Sequence, residues 1–264
     1  MSQAEAEIKR FQRYPVTPEP EWVPVPKWIR VSLGNEIVAD SRRVMLMRGR
    51  PPVYYFPRED VRTELLTPSE HTTHAAGKGE ATYWHVEAGG EVAENGAWAY
   101  ENPPDEAPPG LAETIAFEWR AMGAWFEEEE EVRVHPRDPY TRLDGVHSSR
   151  HVRVAIAGQT VAETQCPVLL SETGLPVRYY VRKTDVRMDL LAPTDHVTHC
   201  PYKGAASHYS AVIGDEVVEN IAWTYPFPNP EFFKIKDLVA FYSERLEDFF
   251  VDGERQPKPQ TPWT

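Results

Sequence analysis

The feature that most constrains this chain is an internal duplication. Residues 54–100 laid over 179–225 at a shift of 125 match at 22 of 47 positions without a gap. A chain that repeats itself at this level builds one structural unit twice. The matches include Tyr54/Tyr179, Tyr55/Tyr180, Asp60/Asp185, His71/His196, His74/His199, Lys78/Lys203, Gly79/Gly204, Asn95/Asn220, Trp98/Trp223 and Tyr100/Tyr225. Upstream, "IRVSLGNEIVADS" and "VRVAIAGQTVAET" match at a shift of 123.

Each copy opens with apolar residues alternating about a glycine turn: Ile29, Val31, Leu33, then Ile37; Val152, Val154, Ile156, then Val161. That period of two reads as a hairpin. Short strands follow at "PVYYF", "VRYYV", "TYWHVE" and "SHYSAVI", with turns at Gly89-Gly90 and Gly214-Asp215. Each copy closes on an amphipathic stretch, Leu111 to Met122 and Ile235 to Leu246, whose pattern suits a helix or a strand. The 25 prolines disfavour long helices, so the expected class is mostly β with a small α content. The expected division is an N-terminal extension at 1–27, a first repeat domain at 28–134, an ordered linker at 135–150, a second repeat domain at 151–252 and a tail at 253–264.

A net charge of -13 argues against general nucleic-acid binding and against anionic membranes, both of which require a basic face. No apolar run approaches the roughly 20 residues of a membrane helix, and "MSQAEAEIKRF" lacks the apolar core of a signal peptide, so a cytoplasmic protein is expected. Two cysteines exclude a four-cysteine zinc site. The run Glu127 to Glu131 reads as a solvated face.

The chemistry concentrates in "THCPYKGAASHYS", residues 198–210, and its cousin "THAAGKGEATYWH", residues 73–85. Lysine supplies a compact cation, and the glycine after it admits a ligand or a second backbone at close range. Lys203-Gly204 and Lys78-Gly79 therefore suit a phosphate or carboxylate on a small molecule, or alternatively a salt bridge to Asp185 or Glu219 beside a tight turn. Tyr180, Tyr209, Trp223 and Tyr225, echoed by Tyr55, Trp84, Trp98 and Tyr100, can pack a core or line a partly apolar pocket. Successive side chains on a strand alternate faces, so each Tyr-Tyr pair sends its rings to opposite sides. His196-x-x-His199 cannot grip one ion from a strand for the same reason, and no metal or other cofactor is expected. Cys200, near Lys203 and His199, has Ala75 in its place in the first copy, which confines any thiol chemistry to the second.

Taken together, "VAETQCPVLLSETGLPVRYYVRKTDVRMDLL", "THCPYKGAASHYS" and "AWTYPFP" resemble the bacterial domain of unknown function 427, in a two-copy arrangement over residues 28–252. The resemblance implies two tandem domains similar to the β-tent of methionine-R-sulfoxide reductases, with no established activity. A nucleotidyltransferase label sometimes attached to that family finds no support in these residues, which lack a Gly-Ser with paired aspartates and any phosphate-cradling loop. The four zinc cysteines and the cysteine-rich signature of the reductases are missing as well, and a shared fold does not supply a site. The family pattern falls on Glu172, Tyr180, Asp185, Cys200, Lys203, Gly204, Tyr209, Trp223 and Tyr225. In the first copy "RGRPP" lacks the glutamate of "SETGLP", and Ala75-Ala76-Gly77 replaces Cys-Pro-Tyr.

Three functions compete at this stage. The first is a module binding a small anionic ligand, with Lys203 as anchor in an aromatic pocket of the second domain. The second is a structural module presenting an acidic surface to a protein partner. The third is an enzyme using Glu172 or His199 as base with Cys200 or Lys203 as the reactive group.

Overall fold

The computed structural model describes residues 21–261, which divide between Tyr140 and Thr141 into two compact units. Residues 1–20 of the expected extension and 262–264 of the expected tail lie outside the described residues.

The strands of the first unit are β1 (Trp22–Pro24), β2 (Ile29–Leu33), β3 (Glu36–Ser41), β4 (Met45–Met47), β5 (Val53–Pro57), β6 (Leu66–Ala75), β7 (Gly79–Ala88), β8 (Glu91–Ala99), β9 (Thr114–Phe117), β10 (Ala124–Glu127) and β11 (Glu130–Glu131). Seven form one sheet in the order β1-β4-β5-β9-β8-β7-β6, and four form another in the order β11-β10-β2-β3. Pairing within both is antiparallel.

The second unit repeats this plan with β12 (Leu143–His147), β13 (Val152–Ile156), β14 (Gln159–Thr164), β15 (Val168–Glu172), β16 (Arg178–Tyr180), β17 (Leu191–Cys200), β18 (Gly204–Ile213), β19 (Glu216–Thr224), β20 (Val239–Phe241), β21 (Asp248–Val251) and β22 (Glu254–Arg255). Its large sheet runs β12-β15-β16 and then β20-β19-β18-β17. The two parts are stitched by reciprocal backbone hydrogen bonds of 2.8 Å between Val181 and Val239. The smaller sheet, β14-β13-β21-β22, matches β3-β2-β10-β11.

The opening hairpins form as the alternation predicts. Gly34-Asn35 and Ala157-Gly158 turn them, with positive φ at both central residues, the geometry whose twist suits a two-residue hairpin loop. The amphipathic closing stretches are strands, β9 and β20, each preceded by a 3₁₀ turn (Leu111–Glu113 and Pro230–Ile235). Helical residues are confined to such short turns among the described residues, and no helix is long and apolar enough to cross a membrane. Two stretches read as connections also pair into sheets. Leu143–His147, inside the 135–150 segment, pairs along its whole length with β15, and Trp22–Pro24, inside the 1–27 segment, pairs with β4.

The central strands of each large sheet bury both faces. One face packs on the smaller sheet: Ile29, Val31, Phe56, Phe117 and Trp125 in the first unit, and Val154, Val161, Ile221 and Phe241 in the second. Burying such side chains stabilises by roughly 1.5–3 kcal/mol each. The other face holds Tyr55, Trp98, Tyr100, Met47 and Leu111 in the first unit, and Tyr180, Trp223, Tyr225, Leu170 and Ile235 in the second. Tyr54 and Tyr55 thus go to opposite faces and both are buried.

Candidate functional site

The second of these faces carries the duplicated cluster. Tyr180, on β16, and Trp223, on β19, lie edge to face with ring centroids 6.3 Å apart, and the Trp223 indole N–H donates to the Tyr180 hydroxyl at 3.2 Å. Tyr55 and Trp98 repeat the edge-to-face arrangement at 6.4 Å. The aromatic scaffold is therefore common to both units. Burial pushes the Tyr180 hydroxyl up to about 12 and Tyr225 further above its ordinary value. Neither phenol ionises near neutral pH.

The charges are not common to both. Lys203 is 9% exposed and donates through Nζ to Glu172 Oε2 at 2.6 Å. Burial alone would lower the Lys203 pKa. Electrostatic interactions with Cys200, Glu172 and Tyr180, together with the hydrogen bond to Glu172, more than offset that, and the net shift is upward, so Lys203 stays cationic. Cys200 is a half-buried free thiol at the end of β17, close enough to interact electrostatically with Lys203, Tyr180 and Tyr225.

The first unit has no such pair. Tyr55 opposes Met45 and Tyr180 opposes Val168, so counting along the strands puts Gly49 at the place of Glu172. Lys78 instead sits with Nζ 5.8 Å from the Tyr100 ring centroid. The alternative salt-bridge partners of Lys203 are engaged elsewhere or distant. Asp185 accepts from Thr164 at 2.6 Å and from Arg182, and its carboxyl is held below the ordinary range chiefly by the Thr164 bond. Glu219 is exposed on the far turn side of β19.

Gly204 adopts φ 104°, and a Cβ there would lie 3.3 Å from the Phe227 carbonyl oxygen. The glycine admits a second backbone, and Gly79, at φ 87° against residues 102–104, does the same. Two residues of the sequence-derived set lie away from the cluster. His199 is exposed and alternates to the face opposite Thr198 and Cys200. Tyr209 packs into the core between the sheets, as does its counterpart Trp84.

Other side chains join the face without having been singled out in the sequence. Arg178 forms a two-pronged ion pair with Glu244, one contact at 2.7 Å, and lies over Trp223 at 5.6 Å. Burial would raise the Glu244 carboxyl, but the Arg178 hydrogen bond outweighs it and the group is held low. His208 is 1% exposed, receives or donates one hydrogen bond at Nε2 to Thr198 Oγ1 at 2.8 Å, and leaves Nδ1 without a partner. Burial, with His196 adding, pushes it down to about 4. The available signal for Arg178 was the difference between copies, since β5 carries Val53 at its place.

β12, β15 and the 3₁₀ turn Pro230–Ile235 line an open-sided cavity of about 190 Å³, with Leu143, Gly145, Leu170, Phe232 and Ile235 on its apolar side and Asp144, Glu231 and Lys234 on its polar side. The Lys234 ammonium closes one side, donating to the Gly145 carbonyl at 2.8 Å. Among the described residues no group of three or more His, Cys, Asp or Glu side chains is placed to hold a metal ion. A family model described as a domain of unknown function (DUF427) matches the chain twice, over residues 21–128 and 144–252. No curated protein matches it.

Proposed function

Because the chain belongs to the domain of unknown function 427 family in two tandem copies, a membership that names no reaction, we propose from the site itself that the protein binds a small molecule bearing an anionic group. The working site of this reading is in the second unit. The observation that carries it is the buried Glu172–Lys203 pair on an aromatic face whose twin in the first unit lacks the glutamate. Removing two charges from water costs several kcal/mol per ion, and apolar residues of similar shape serve stability as well or better. Stability therefore does not explain the pair. A lysine held cationic beside Tyr180, with a carboxylate already in contact, matches an incoming carboxylate or phosphate that takes the place of Glu172.

The raised Lys203 pKa also weighs against lysine as a nucleophile, which needs the free amine. Binding is thus favoured over covalent lysine chemistry. The test is thermal stability across nucleotides, sugar phosphates and small carboxylates, for the native protein and Lys203→Met. A ligand at a hundred times its dissociation constant adds about 2.7 kcal/mol. A shift abolished in Lys203→Met supports the reading, and silence across the panel rejects it.

A further inference from the structure

The two units differ most where their registers coincide. Trp22 opposes Met47 in the first unit, and Gly145 opposes Leu170 in the second. Met45 and Val168, two residues before those partners, oppose the equivalent tyrosines Tyr55 and Tyr180. Trp22 and Gly145 therefore occupy the same place on the same sheet face. In the first unit the indole fills that place and lies edge-on to Tyr55 at 5.3 Å, 66° between planes. In the second there is no side chain, and the cavity of about 190 Å³ opens there instead.

We infer that this cavity is a binding site for the flat aromatic ring of a small ligand, seated where the first unit seats its own indole. Size admits it, since a cavity of about 150 Å³ accepts benzene and this one, about 190 Å³ with Asp144, Glu231 and Lys234 along its polar side, has room for a fused bicycle. Shape and chemistry support it as well. Leu170 and Ile235 are fully buried at its base, and Leu143 and Phe232 add apolar wall. Neither backbone conformation nor crowding demands a glycine there, since a Cβ on Gly145 would stand 3.6 Å from Leu170, in ordinary contact; its effect is to leave open the place a large side chain fills in the first unit.

The cavity adjoins the ion pair. Leu143, one of its walls, directly opposes Glu172 in the β12–β15 ladder, and residues so opposed have Cα atoms about 4.5–5.5 Å apart. A ring in the cavity thus carries a substituent towards Lys203, and the ligand class is a small aromatic carboxylate. The ring site stands on strand register alone; its coupling to an acid group rests on the reading under Proposed function.

The experiment titrates the full-length protein with indole and with indole-3-acetate by calorimetry. Native protein takes up one equivalent of indole, Gly145→Trp weakens this at least tenfold while keeping the native melting temperature, and Lys203→Met weakens indole-3-acetate without affecting indole. Should Gly145→Trp not fold, Leu170→Phe narrows the same cavity from β15 and is held to the same tenfold loss. Absence of indole binding, or binding untouched by either cavity-filling variant, overturns the ring site even where anions still shift stability through Lys203. Indole binding lost in Gly145→Trp with no preference for the acid retains the ring site and removes the anionic reading.

Discussion

Replacing Lys203 by methionine strands the Glu172 carboxylate on a face where the pair's side chains are only 11% and 14% exposed. Breaking a buried pair from one side costs about 3–5 kcal/mol. The carboxylate limits the loss by taking up a proton. From an ordinary glutamate value near 4.3, that uptake costs about 3.7 kcal/mol at pH 7 and about 1 kcal/mol at pH 5. The expected penalty for Lys203→Met is therefore about 3 kcal/mol at pH 7, shrinking to about 1 at pH 5. For a unit of about 120 residues this corresponds to a fall of roughly 10 °C in melting temperature at neutral pH. The double variant Glu172→Leu/Lys203→Met removes both charges at once and is expected within about 1 kcal/mol of the native protein, because the shape is kept and no ion is left unpaired. Urea unfolding of the native, single and double variants at both pH values measures the cycle, read on the transition that moves in Lys203→Met. The double variant is also expected to lose every anion-dependent shift. A penalty for Lys203→Met below 1 kcal/mol at pH 7, or a double variant as unstable as the single, refutes the reasoning: the pair is then hydrated in the first case and architectural in the second.

Three further outcomes follow from neighbouring features. His208 is held neutral, at about 4 against an ordinary 6.5, so the unfolded chain binds the extra proton between those values and stability falls as pH drops through that window. The loss is roughly 2–3 kcal/mol, and His208→Tyr, which installs the residue found at Tyr83, flattens that part of the pH-stability curve. Gly204→Ala is expected to cost about 2 kcal/mol by urea unfolding, from a φ of 104° and the Phe227 carbonyl at 3.3 Å, whereas Gly145→Ala, free of both constraints, leaves stability within about 0.5 kcal/mol. Cys166 is exposed, Cys200 half-buried and neither forms a disulfide, so a thiol reagent labels two sites, Cys166 about tenfold faster.

Much of this architecture is visible in the sequence because duplication and alternation are strong signals. The shift of 125 pairs Tyr55 with Tyr180 and Trp98 with Trp223, and the structure places them identically. Strands that bury one face, such as β2 and β13, announce themselves by Ile29, Val31, Val152 and Val154. The strands β6 and β17 do not. "LTPSEHTTHA" and "LAPTDHVTHC" are largely exposed, so no apolar period marks them, and they form because they pair with β7 and β18. At the closing stretches, four consecutive buried residues in β9 erase the alternation that separates strand from helix.

The site divides in the same way. The local pieces, Lys203-Gly204 and the tyrosines, stand out by repetition. Their meaning depends on Glu172 and Gly145, which lie far away in the chain and are brought in by strand order, a property no local pattern encodes. Trp22 falls outside the aligned repeat, so the comparison that gives Gly145 its meaning needs the register of two sheets. Once that register is fixed, the differences named here, on the face that carries the Tyr–Trp pair, share one direction. Relative to the first, the second adds Glu172 and Arg178 where Gly49 and Val53 stand, and removes an indole. Buried charge and an open cavity each work against stability, and they occur side by side on one face of one copy, around a Tyr–Trp pair that both copies keep. Independent drift in a structural module has no reason to gather two destabilising changes at one place, whereas a ligand supplies both the missing volume and the missing counter-charge.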